Sequence, residues 1–188
     1  MWHSLIKKFR ILKYRLLSEK VQVDGAPLLH QPVLYRGVGK MSFGKDVQIG
    51  VYGSPNFYST YAYLESRSVD SEIIFQNNIH INNNFSATAL GAKILLEDDI
   101  RIGSNCSIVT SDFHSLDPNL RNELNQSGEN VIIKKNVFIG NNVTILKGVT
   151  LGENCVIGSG AVVSSSIPAN TVAVGNPAKV IRELKPRI

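Results

Sequence analysis

With 188 residues, 43% of them apolar and 19% charged, the chain suits one domain with a sizeable core, and no segment approaches the roughly 18 apolar residues needed to span a bilayer. The net charge of +5 sits wholly in residues 1–20, where Lys7, Lys8, Arg10, Lys13, Arg15 and Lys20 outnumber Glu19. The electrically balanced body argues against nucleic acid as a partner, which would call for a basic stripe there. Cys106 and Cys155 are too few for a disulfide scaffold and lack ligand spacing, so no metal is expected.

In chain order, Trp2, Leu5, Ile6, Phe9, Leu12 and Leu16 recur at helical spacing with cations between them, which predicts a basic amphipathic helix over residues 1–20. Cations inside the apolar stretch exclude a cleavable signal peptide, so cytoplasm is the expected location. The helix either packs on the body or contacts an anionic membrane, at whose inner face the protein would then sit. Residues 21–174 form the second unit. Phe43 and Ile49 lead the hexads FGKDVQ and IGVYGS, and Ile73, Ile79 and Phe85 are read as further first positions, with Asn77 and Asn83 at interior ones. Residues 55–72 escape the pattern and are expected to bulge from the wall as extended strands. The register returns at Leu90, Leu96, Ile102 and Ile108, which puts Asp112 at an interior fifth position. Residues 112–132 are a polar excursion between clean repeats, and such loops usually carry function.

From Ile133 the hexads are unbroken. First positions read Ile133, Ile139, Ile145, Leu151, Ile157, Val163 and Ala169; fifth positions read Val137, Val143, Val149, Cys155, Ala161, Ile167 and Ala173. Random placement at the chain's apolar frequency would make all fourteen apolar about once in 10⁵ trials. Each hexad supplies a short strand and a turn, and three hexads close one triangular coil. Coils stack at the strand spacing of about 4.8 Å. Handedness does not follow from the pattern; the usual crossover rule favours right-handed coils. Residues 175–188 form a tail in which GNPAKVIRELK reads as a turn and a short C-terminal helix.

Of four histidines, His114 lies in SDFHSLD, between Asp112 and Asp117 at the scaffold break. A carboxylate at an interior position is costly unless the prism opens to a site there, and an imidazole beside it could act as a base near neutral pH. Both cysteines fall at interior positions and no G-x-S-x-G motif occurs, so nucleophilic catalysis is not expected. No pair of histidines has metal-ligand spacing.

SDFHSLDPNLRN, with VFIGNNVTILKGVTLGENCVIGSGAVVSSSIPANTVAVGNPAKVIRELK, resembles the hexapeptide-repeat acetyltransferases, in particular the maltose, galactoside, xenobiotic, O-antigen and capsule sugar O-acetyltransferases. The likeness covers roughly residues 73–185. It implies an all-β fold, a left-handed parallel β-helix, assembled as a C3 homotrimer with sites at the subunit interfaces. It also implies acetyl-coenzyme A as donor and a sugar or glycan as acceptor. By the same resemblance His114 is the base. Asn84, with Asp112 beside the base, contacts acceptor. Phe138, Asn141 (through its backbone N–H), Ser159, Gly160 and Ala161 line the donor's path. Lys179 and Arg182 meet its phosphates. Ser164 stands where many members carry a Thr-Lys pair. Two other readings stay open: N-acetylation of an amino sugar on the same scaffold, and a non-catalytic assembly module.

Overall fold

The computed structural model describes residues 2–123 and 127–185; part of the 112–132 excursion and the last three residues of the predicted tail lie outside them. After a helix, α1 (Trp2–Leu17), the chain winds as a three-walled prism. The first wall stacks Gln22–Asp24, Lys40–Phe43, Glu72–Phe75, Lys93–Leu96, Val131–Ile133 and Thr150–Leu151. The second stacks Leu28–Leu29, Val47–Ile49, Ile79–Ile81, Arg101–Ile102, Phe138–Ile139, Val156–Ile157 and Thr171–Val174. The third stacks Val33–Gly37, Ala62–Ser66, Ser86–Ala89, Ser107–Val109, Thr144–Ile145 and Val162–Val163. These strands pair in parallel, and the chain visits first, second and third wall in turn.

The walls follow from period-two burial. Val131 and Ile133, Val137 and Ile139, Val143 and Ile145 all point inward, each 1% exposed or less. Burying such a side chain contributes about 1.5–3 kcal/mol. The backbone is satisfied from coil to coil: Phe138 N–H donates to the Cys155 carbonyl and Gly140 N–H to Ile157. At the edges the chain must turn through φ > 0, and asparagine recurs there: Asn84 at 61°, Asn105 at 59° and Asn142 at 58°. Asparagine tolerates this region, and its short amide can also bond the same position one coil away. Asn84 Nδ2 donates to Asn105 Oδ1 at 3.0 Å, and Asn105 Nδ2 donates to Asn142 Oδ1 at 2.9 Å.

The structure corrects three expectations. Ile73 pairs with Ile94 and Phe75 with Leu96, so Phe75 and Ile81, not Ile73 and Ile79, occupy the first positions. The sequence phase there was off by two residues. Asn77 is consequently exposed, while buried Asn83 sits at a corner, donating to the carbonyls of Val51 and Pro55. Within 55–72, Ala62–Ser66 is a regular strand of the third wall; the excursion is residues 51–61, built of turns rather than extended strands. The predicted C-terminal helix is a strand, Lys179–Glu183, antiparallel to Thr171–Val174. It covers the last strand of the second wall, whose polar edge would otherwise lie open.

Candidate active site

The excursion bearing His114 leaves the prism at the edge between third and first walls. The residues turned inward there are Thr110 and Ser111, at 0% and 2% exposure. Asp112 is not interior, contrary to the hexad count. Thr110 Oγ1 accepts from Leu90 N–H at 2.8 Å, and Ser111 Oγ donates to the Ser127 carbonyl at 2.8 Å. Hydroxyls meet the needs of the parting backbone where an aliphatic residue could not. Asp112 turns out to Lys147 Nζ at 2.6 Å, and Glu129 meets the same ammonium at 3.6 Å. Lys147, on the next coil, thus ties both feet of the excursion. Its hydrogen bond to Asp112 raises its pKa. Asp112 is engaged in fastening the loop, which leaves no support for its expected contact with acceptor.

Phe113 has φ 62°, unusual for an aromatic residue, and a tight turn brings His114 N–H to the Asp112 carbonyl at 2.7 Å. A residue held there costs about 1–3 kcal/mol and needs support. Glu65, on the third wall, grips Arg67 at 2.7 and 3.1 Å, raising the guanidinium's pKa, and Arg67 lies 4.7 Å from the centre of the Phe113 ring. A rigid wall is thereby linked to the residue next to His114. Nothing local in the sequence signalled this pair, 46 positions apart.

The His114 imidazole is exposed, with Nδ1 3.1 Å from the Arg121 carbonyl. A carbonyl can only accept, so in the neutral ring Nδ1 carries the proton and Nε2 the lone pair. Neither neighbouring carboxylate does the orienting: Asp112 meets Lys147, and Asp117 caps the 3₁₀ turn Pro118–Leu120 by accepting from Asn119 N–H at 2.9 Å. The imidazole borders a cavity of about 510 Å³, lined by Val38, Val69 and Leu90 together with Arg67 and Asp70.

The other predicted residues lie elsewhere. Asn84, Asn141, Ser159 and Gly160 stand along the edge between second and third walls. Asn84 lines a different cavity, of about 320 Å³, with Tyr61, Tyr63 and Asn105. Asn141 N–H already donates to Ser159 Oγ at 3.1 Å, so it is not free to polarise a thioester carbonyl in this arrangement. A side chain on Gly160 would meet open space. Ala161 is fully buried inside the prism and cannot line a donor groove, contrary to expectation. Phe138 is half exposed on the outer face of the second wall, and Lys179 and Arg182 stand exposed on the terminal strand of that wall. Ser164 lies on the same edge as His114, beyond the third wall's last strand. Both cysteines are buried, which pushes their thiols up, Cys155 to about 11. No group of His, Cys, Asp or Glu among the described residues could hold a metal ion.

Residues 130–165 match the family model described as bacterial transferase hexapeptide (six repeats). Among solved structures, AntD, an N-acyltransferase from Bacillus cereus in complex with dTDP and 3-hydroxybutyryl-CoA, is similar at 20% identity and TM-score 0.65, over 93% of this chain and 88% of that one. A hexapeptide-repeat containing acetyltransferase from Vibrio cholerae is similar at 22% identity and TM-score 0.53, over 96% and 82%. At these identities the likeness is one of fold. Residues 130–165 carry the hexapeptide repeat, and the chain has the left-handed parallel β-helix fold that the resemblance implied.

Proposed function

We propose that this protein is an acetyltransferase that moves the acetyl group of acetyl-coenzyme A to a sugar hydroxyl, in the modification of a polysaccharide or its precursor, with His114 as general base. The observation that carries the reading is the His114 imidazole, tautomer set by the Arg121 carbonyl, at the rim of a cavity half lined by polar groups. Nε2 takes the proton of the acceptor hydroxyl as its oxygen attacks the thioester carbonyl. The tetrahedral intermediate collapses with cleavage of the carbon–sulfur bond, and Nε2–H returns the proton to the departing thiolate. No covalent enzyme intermediate is needed, and the buried cysteines offer no nucleophile.

Two edges of the prism share the candidate residues, with His114 on one and Asn84, Ser159 and Gly160 on another. In a C3 homotrimer one copy can present its His114 edge to the other edge of its neighbour, and the site forms between them. The open space beside Gly160 would admit the pantetheine arm, and Lys179 and Arg182 supply exposed cations for the coenzyme's phosphates. AntD was solved with an acyl-coenzyme A and, in one variant, with dTDP-4-amino-4,6-dideoxyglucose. A base that must deprotonate its acceptor favours a hydroxyl, since an amine can attack with less help.

Pure protein incubated with acetyl-coenzyme A, a thiol reagent and a panel of neutral and amino sugars tests the reading. Thiol release should depend on a hydroxyl acceptor, and His114→Ala should lower kcat by about 10²–10⁴. A loss under fivefold would remove the base assignment; release with amines alone would make the protein an N-acetyltransferase.

A further inference from the structure

Helix α1 docks by the side opposite to its apolar one. Arg10 donates to the carbonyls of Phe57 and Thr60, and the Tyr14 ring packs 4.5 Å from that of Tyr61. Ser4, Lys7, Ile11 and Ser18 share this inward side and are half-buried. At 100° per residue, Trp2, Leu5, Phe9, Leu12 and Leu16 form one stripe centred about 180° away. All five are exposed, Trp2 and Leu16 at 77% and Phe9 at 69%, and no residue of the helix is buried. Capping the prism therefore uses the polar face and leaves five large apolar side chains unpartnered, a pattern with a purpose on a protein surface.

Charge decides what covers the stripe. Lys8 and Arg15 border it on one side and Lys13 on the other, and no carboxylate occurs before Glu19. A matching stripe on a second copy would bring these cations against their own kind. An anionic lipid surface complements them, and a tryptophan at the end of the stripe suits the interface between headgroups and acyl chains. We infer that α1 is a membrane-surface anchor that lays this stripe into anionic lipid while Arg10 and Tyr14 hold the prism on its other side. The inference stands apart from the proposed chemistry.

Trp2 is the only tryptophan, so its fluorescence reports on the stripe directly. Full-length protein should show a blue shift, and quenching by brominated acyl chains, with vesicles of mixed phosphatidylglycerol and phosphatidylcholine. Vesicles of phosphatidylcholine alone should give neither, and salt should reverse both effects. Replacing Lys8, Lys13 and Arg15 by Glu should weaken vesicle binding by about 10²-fold or more, since each cation near such a surface contributes about fivefold. Phe9→Ser with Leu12→Ser should weaken it at least tenfold while leaving the mass by light scattering unchanged; both side chains are more than half exposed, so neither belongs to the folded core. Equal response to both vesicle types would overturn the inference. So would a Phe9→Ser, Leu12→Ser protein that dissociates into smaller species, because the stripe would then be an interface between copies.

Discussion

Asn105 is the hinge of the edge that we assign to acceptor and donor binding, and its replacement tests how that edge is held. Its Oδ1 accepts from Asn56 Nδ2 at 2.9 Å and Asn84 Nδ2 at 3.0 Å, while its own Nδ2 donates to Asn142. It does this with φ at 59°. Asn105→Ala removes three hydrogen bonds, each worth about 0.5–1 kcal/mol at a part-exposed site, and places a Cβ without compensation in the left-handed region, for about 1 kcal/mol more. The expected loss is about 2.5–4 kcal/mol. Asn105→Gly loses the same bonds but suits the dihedral, so it should lie about 1 kcal/mol above the alanine variant. Urea unfolding at one fixed protein concentration would read both. A glycine variant no more stable than alanine would refute the conformational part of this argument, and losses below about 0.5 kcal/mol in both would refute the ladder.

Lys147→Met frees both feet of the excursion, so kcat should fall at least tenfold. Stability should change by only about 1 kcal/mol, because the pair is substantially exposed; full activity with a much lower melting temperature would be the opposite result. Arg67→Ala should lower kcat through loss of the support under Phe113 with the acceptor KM little changed, which steady-state kinetics would separate. The thiols of Cys106 and Cys155 should resist alkylation at pH 8 in the native protein and react in denaturant. Because burial raises the Cys155 thiol to about 11, only the unfolded chain ionises as pH passes the ordinary thiol value of about 8.5. Stability should therefore fall from there up to about pH 11, and a rise over that interval in urea titrations would contradict this.

The prism was most legible where the two inward positions differ in size, as in Val137 with Ile139 or Cys155 with Ile157. At Ile73 with Phe75, both large, the period survived and the phase did not. Lys179–Glu183 reads as well for helix as for strand in isolation; the open edge of Thr171–Val174 decides it. His114 could be picked out because the repeat breaks beside it. Arg67 could not, since its meaning lies in Glu65 on its own wall and Phe113 on a loop much later in the chain. Nor does the hexad pattern show that Asn84 and His114 stand on different edges until the chain is wound through its three walls.

That separation makes mixed assemblies the most direct test of a site shared between copies. His114→Ala and Asn84→Gly, the latter chosen because it keeps the backbone at φ 61°, should each be nearly inactive toward the best acceptor of the sugar panel. Unfolded together in equal amounts and refolded, they should recover about a quarter of wild-type activity, the fraction of interfaces at which a random C3 assembly joins two intact edges. A mixture no more active than its components would contradict a site built from two copies.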